Sequence, residues 1–141
     1  MVDRDIVIEK VKSIQQCLKR IRDVTHFDPI SLDNIDVQDI FVINLQRAVQ
    51  SAIDLATHIV ADEGLGIPEN LKENFIFLEK AKIITSEQAG KMMKMVGFRN
   101  IAVHEYQMID VEMLKSILTG HLKDVEDFYS SIIRYYKIQT K

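Results

Sequence analysis

An all-α bundle is the fold class that this 141-residue sequence predicts. Three observations predict it. Apolar residues recur at +3 and +4 through most of the chain, the spacing of one face of an α-helix. No stretch shows the apolar–polar alternation of a half-buried strand. Only two prolines and five glycines break up the chain, so long periodic segments are left intact. The length suits one domain over residues 1–141, with room for a proper core. The expected architecture is an up-and-down bundle of four long helices plus a short one, joined by connections of bundle length.

Each element has its own justification. The first helix is read from Val7, Val11, Ile14, Leu18 and Ile21, with Lys10, Lys12, Lys19, Arg20 and Arg22 largely off that face. It should stop near Phe27-Asp28-Pro29, because proline disfavours helix at the preceding residue. A second helix should start around Ser31 to Asn34, where N-capping side chains cluster. It carries Phe41, Leu45, Ala48, Ala52, Leu55 and Ile59, and a flanking stripe of Val42, Val49, Ile53, Ala56 and Val60. That makes it apolar over much of its circumference and predicts the central, most buried helix. Glu63-Gly64-Leu65-Gly66-Ile67-Pro68 is a break, and Leu71, Phe75 and Leu78 mark a short third helix. Thr85 and Gln88 form a capping-box signature for a fourth helix that runs through Met92, Met93 and Val96. Gly97 inside it is expected to mark a kink or a close helix approach. Asp110 should cap a single last helix carrying Leu114, Ile117, Leu118, Leu122, Val125, Tyr129, Ile132 and Tyr136.

Composition narrows the function. No window approaches 18 consecutive apolar residues, so no membrane span or membrane partner is expected. The start of the chain lacks a secretory hydrophobic segment. One cysteine, Cys17, allows neither an internal disulfide nor a Cys-based zinc cage. It lies on an apolar stripe and reads as a packing residue of a protein of the cytoplasm. The net charge of −3 argues against nonspecific coating of DNA. Its distribution says more: residues 25–78 hold two cations against nine acids, and residues 79–104 hold five cations against two acids. Positive charge therefore gathers beside Arg99-Asn100-Ile101-Ala102-Val103-His104-Glu105-Tyr106, where a polyanionic ligand would be favoured.

That octapeptide is the densest chemistry in the chain. Arg99 is a permanent cation suited to clamping phosphate, and His104 is the side chain type that moves protons near neutral pH. On one helix Asn100 and His104 lie about 40° apart, but Arg99 and His104 lie about 140° apart. One rigid helix would not aim both at one atom without long side chains, a kink or a second subunit. Arg99 and Tyr106 fall within about 20° if the helix continues that far. Arg47, Gln50, Asp54 and His58 share a polar face of the second helix. Buried polar groups there need partners, and Asp54 is the expected partner of Arg99, with Arg47 as a second supporting residue. Other chemistries lack their residues. A di-metal bundle needs paired Glu-x-x-His motifs, and only Asp23-x-x-His26 comes near. Neither a Gly-x-Ser-x-Gly elbow nor a Walker loop is present.

The pattern Arg99-Asn100-x-x-x-His104-x-Tyr106 resembles the Arg-x(4–6)-His-x-Tyr motif of HEPN-domain ribonucleases, in the HepT toxin branch of HepT/MntA toxin–antitoxin pairs. Residues 45–59, the Gly64–Pro68 loop and Lys94–Asn100 are similar to the same branch, so the resemblance covers nearly the whole chain. It implies a HEPN-like helical homodimer, or a larger hetero-oligomer with its antitoxin, whose two motifs face each other across a cleft. It also implies a type VII toxin: a metal-independent, cofactor-free endoribonuclease acting on tRNA or mRNA. In that role His104 is the general base or acid, Arg99 stabilises the phosphorane, and Asn100 orients. The implied partner is a nucleotidyltransferase antitoxin that transfers AMP to Tyr106, placing phosphate on the face of Arg99. A different reading of the same resemblance is a non-catalytic HEPN module that binds nucleotide or substrate for a nucleotidyltransferase. It would bind without cleaving RNA.

Overall fold

The computed structural model describes residues 2–139. Among them are six α-helices, two short 3₁₀ turns and no strand: α1 (Arg4–Thr25), α2 (Ile35–Asp62), α3 (Glu73–Lys80), α4 (Ser86–His104), α5 (Val111–Gly120) and α6 (Leu122–Tyr136). The 3₁₀ turns are Pro29–Asp33 and Tyr106–Met108.

Local chemistry sets the boundaries. Asp3 caps α1 by accepting from the Asp5 amide at 2.9 Å, and His26 ends it in the left-handed conformation at φ 52°. Asp28 starts the first 3₁₀ turn, and Asn34 caps α2 through the Asp36 and Val37 amides. The capping box of α4 is present in both directions, Gln88 N–H to Thr85 Oγ1 at 3.1 Å and Thr85 N–H to Gln88 Oε1 at 3.0 Å. In the break after α2, Gly66 sits at φ 151°, and a Cβ there would lie 2.8 Å from the Phe77 ring. Only glycine fits that approach.

Two expectations need correction. Gly97 marks no close approach, because a Cβ there would meet only Lys72 Nζ at 3.9 Å, and α4 is continuous through it. The last segment is two helices. Gly120 ends α5, and His121 stands at φ −131°, outside helical geometry. The poor helix propensity of glycine and the His121 Nδ1–Asp124 Oδ2 contact at 3.0 Å favour the break.

Cross-helix contacts fix the directions. Lys10 meets Asp54 and Ser13 meets Ser51, so α1 and α2 run antiparallel. Gln50 meets Arg99 while Asp39 meets Tyr106, so the chain reverses again at α4. Gln88 bonds Ser131 and Lys91 faces Asp124, which makes α6 antiparallel to α4. This is the up-and-down order, with α2 at its centre. Twelve α2 residues are buried, and Phe41, Leu45, Ile53, Leu55 and Ile59 lie among the largest fully enclosed side chains. Val7, Val11, Ile14 and Ile21 of α1 pack on them, with Cys17 buried on the same stripe and Leu18 only half-buried. Phe75 of α3 meets Phe128 of α6 edge-on at 5.3 Å. No helix among the described residues is long and apolar enough to cross a membrane.

Candidate functional site

The site is assembled where the C-terminal half of α4 lies against α2. Arg99 is half-buried and held at two points. Its Nε–H donates to Gln50 Oε1 at 2.9 Å, and an Nη1–H donates to Asn100 Oδ1 at 3.0 Å. Gln50 in turn donates from Nε2 to Asp54 Oδ1 at 2.9 Å, and Asp54 faces Lys10 Nζ at 3.8 Å. Asp54 is therefore not the direct partner of Arg99. Gln50 stands one helical turn earlier, at the level the antiparallel register brings opposite Arg99. A neutral amide thus orients the guanidinium and relays it to a carboxylate.

Arg99 consequently has no direct carboxylate contact among the described residues. It forms no ion pair among the described residues, and its two hydrogen bonds go to neutral amide oxygens. A guanidinium has five N–H donors, so three remain for a ligand. Such a group, pre-oriented and unpaired, suits an oxyanion.

The rest of the polar face of α2 divides. Arg47 is exposed and lines an open groove of about 690 Å³ between α1 and α2, together with Arg20, Asn44, Gln50 and Ser51. Burial pushes the Cys17 thiol up, and the positive charge of Arg47 opposes part of that rise. His58 belongs elsewhere: its Nε2 lies 3.3 Å from Asp62 Oδ2 and 3.3 Å from the Asp3 amide, at the start of α1.

His104 is the last residue of α4. It is exposed and has no side-chain hydrogen bond or ion pair among the described residues. Among the described residues no bond joins it to Arg99. The helix does not continue to Tyr106. Glu105 leaves helical geometry at φ −142°, ψ 50°, although its N–H still reaches Ile101 O at 2.8 Å. The expected alignment of Tyr106 with Arg99 along α4 is thus lost. Tyr106 turns instead towards α2, and its hydroxyl donates to Asp39 Oδ1 at 2.8 Å. Burial first, then this bond and the Asp39 charge, push the phenol above the ordinary tyrosine range. Tyr106 remains 48% exposed, and Val103, Met108 and Ile43 are exposed apolar residues on α4, the following turn and α2.

Sequence reasoning placed Gln50 on the right face but gave it no role, and it missed Asp39, which had no motif to flag it. Among the described residues no group of three or more His, Cys, Asp or Glu side chains is placed to hold a metal ion. Asp23 is engaged by Lys19 at 2.8 Å, and His26 is the C-cap of α1.

Comparison with known proteins gives a consistent result. The profile of the family Ribonuclease HepT-like matches residues 14–132. The chain is 37% identical over 128 residues to the mRNA nuclease HepT of Shewanella oneidensis, covering 91% of this chain and 96% of that one. It is 39% identical over 88 residues to the tRNA nuclease HepT of Aphanizomenon flos-aquae, covering 60% of each. Among solved structures, the tri-AMPylated Shewanella oneidensis HEPN toxin in complex with MNT antitoxin superposes with a TM-score of 0.86 at 37% identity, covering 92% of this chain and 98% of that one.

Proposed function

We propose that this chain, which belongs to the HepT-like ribonuclease family, is the toxin of a toxin–antitoxin pair. In this reading it is an endoribonuclease that cuts mRNA or tRNA through Arg99 and His104, and a partner nucleotidyltransferase silences it by AMPylating Tyr106. The observation that carries the reading is Arg99: a cation oriented by Gln50 and Asn100 and in no ion pair among the described residues.

The residues divide the work. His104 takes the proton of a ribose 2′-hydroxyl or supplies one to the leaving oxygen. Arg99 stabilises the charge that develops on phosphorus. Asn100 steadies the guanidinium through its Oδ1 and leaves its amide N–H groups for substrate. Asp54 and Arg47 act in support, Asp54 by anchoring Gln50 and Arg47 by presenting charge along the α1–α2 groove. Attack by the neighbouring 2′-hydroxyl leaves a 2′,3′-cyclic phosphate and spares DNA, which lacks that group. His104 lies about 140° around α4 from Arg99, so the functional unit is a homodimer whose cleft draws on both copies. The proposed unit is one domain over residues 1–141 acting in the cytoplasm, a setting supported by the lone thiol of Cys17.

The test is RNA cleavage by purified, unmodified protein in EDTA. Wild-type protein should produce 2′,3′-cyclic phosphate ends, and Arg99→Ala and His104→Ala should each abolish them while remaining folded. Cleavage that persists in both variants removes these residues from the mechanism.

A further inference from the structure

We propose that Asp39 is the proton acceptor for nucleotidyl transfer to Tyr106, so that the toxin itself supplies the base for its own modification. The inference rests on the reading above that Tyr106 is the AMPylated residue.

The geometry comes from two distant parts of the chain. Asp39 lies in the second turn of α2 and Tyr106 in the 3₁₀ turn that follows α4, and the Tyr106 hydroxyl donates to Asp39 Oδ1 at 2.8 Å. Among the described residues Asp39 forms no ion pair, and it is the one charged group found to act on the Tyr106 phenol. Both side chains are exposed, so a partner enzyme can bring a nucleotide to the hydroxyl without unfolding the turn.

Chemistry supplies the need. A phenol held protonated is a poor nucleophile, and the proton must leave as the new bond forms. Tyr106 Oη forms a bond to the α-phosphorus of ATP, and the bond from that phosphorus to the bridging oxygen breaks. Pyrophosphate departs with the electron pair. The phenolic proton passes along the existing hydrogen bond to Asp39 Oδ1 and from there to water. Because the acceptor is already in place, no side chain has to reorganise before transfer.

The test is intact-mass kinetics with the cognate nucleotidyltransferase and Mg-ATP between pH 6 and 9, on wild-type, Tyr106→Phe and Asp39→Asn proteins. The Asp39→Asn side chain keeps an oxygen that can accept the Tyr106 hydrogen bond but cannot take its proton. Wild-type protein should gain AMP at a rate nearly independent of pH, and Tyr106→Phe should gain none. Asp39→Asn should be slower by about 100-fold or more at pH 7, and its rate should climb steeply with pH as hydroxide replaces the lost base. Unchanged cleavage of RNA by Asp39→Asn would show that it is folded. If Asp39→Asn is modified as fast as wild type, or is slowed equally at every pH, Asp39 is not the proton acceptor. If Tyr106→Phe still gains AMP, or wild type gains none, the choice of Tyr106 fails first and the role of Asp39 falls with it.

Discussion

The hydrogen bond from Arg99 Nε to Gln50 Oε1 gives the sharpest prediction. Gln50→Leu keeps most of the side-chain volume but removes both the acceptor for Arg99 and the donor to Asp54. A hydrogen bond to a charged group contributes about 1.5–3 kcal/mol. Arg99 and Gln50 are only half-buried, so water can take part of the place of the amide, and Asn100 still holds Nη1 at 3.0 Å. The lower end of the range therefore applies, about 1.5 kcal/mol, which corresponds to roughly a tenfold loss if it is expressed in the transition state. Folding stability should fall by a similar amount, about 1.5 kcal/mol, a few degrees in Tm. Single-turnover cleavage of a defined RNA at saturating protein separates the chemical step from binding, with a thermal melt alongside. Asp54→Asn should fall between wild type and Gln50→Leu, because the amide oxygen it introduces can still accept from Gln50. A Gln50→Leu protein that melts normally and cleaves at the wild-type rate would show that Arg99 needs no orientation from α2.

Three further outcomes follow from packing and ionisation. Gly97→Ala should stabilise the protein by about 0.5–1 kcal/mol, since its Cβ would meet only Lys72 Nζ at 3.9 Å; a lower urea midpoint would mean that another surface packs there. Phe128→Ala should cost about 3–5 kcal/mol, because the ring is fully buried and meets Phe75 edge-on; a loss below about 1 kcal/mol would argue against that packing. The Tyr136 hydroxyl is buried without a hydrogen-bond partner among the described residues, and burial followed by the charge of Glu63 pushes its ionisation well above the ordinary range. Its folded-state pKa exceeds the unfolded value of about 10, so its contribution is complete below that pH and is lost as pH rises beyond it. Tyr136→Phe should therefore unfold less steeply with alkaline pH than wild type while staying within about 1 kcal/mol of it at pH 7; equal alkaline slopes would refute this.

What the sequence made legible was what short-range chemistry controls. Helical periodicity, the capping box at Thr85 and the cap at Asp110 all act within a turn or two, and each is found as read. The split between α5 and α6 escaped notice because Leu118 and Leu122 keep a +4 spacing straight across it. Both remain buried, so periodicity alone gives no sign of the break. The turn at Glu105 carries neither Gly nor Pro, so the departure of Tyr106 from α4 had no local signal. The partner of Arg99 depends on the register between helices 49 residues apart, and spacing within one helix cannot reveal it. The candidate string from Arg99 to Tyr106 is visible in the sequence; Gln50 and Asp39, which hold it, are not marked there.

Helix α2 also acts as a ruler. Asp39 and Gln50 are eleven residues apart, which places them about 20° from each other around the helix and about 16 Å along it. The two anchors thus lie on one edge, with Tyr106 moored at one mark and Arg99 at the other. Tyr106 and Arg99 do share a face, but it is a face of α2 and not of α4. Anything attached at Tyr106 starts about three helical turns from the cation. If Tyr106 carries the nucleotide, as proposed above, the reach of the adduct along this edge, as well as its charge, would set how completely it covers Arg99.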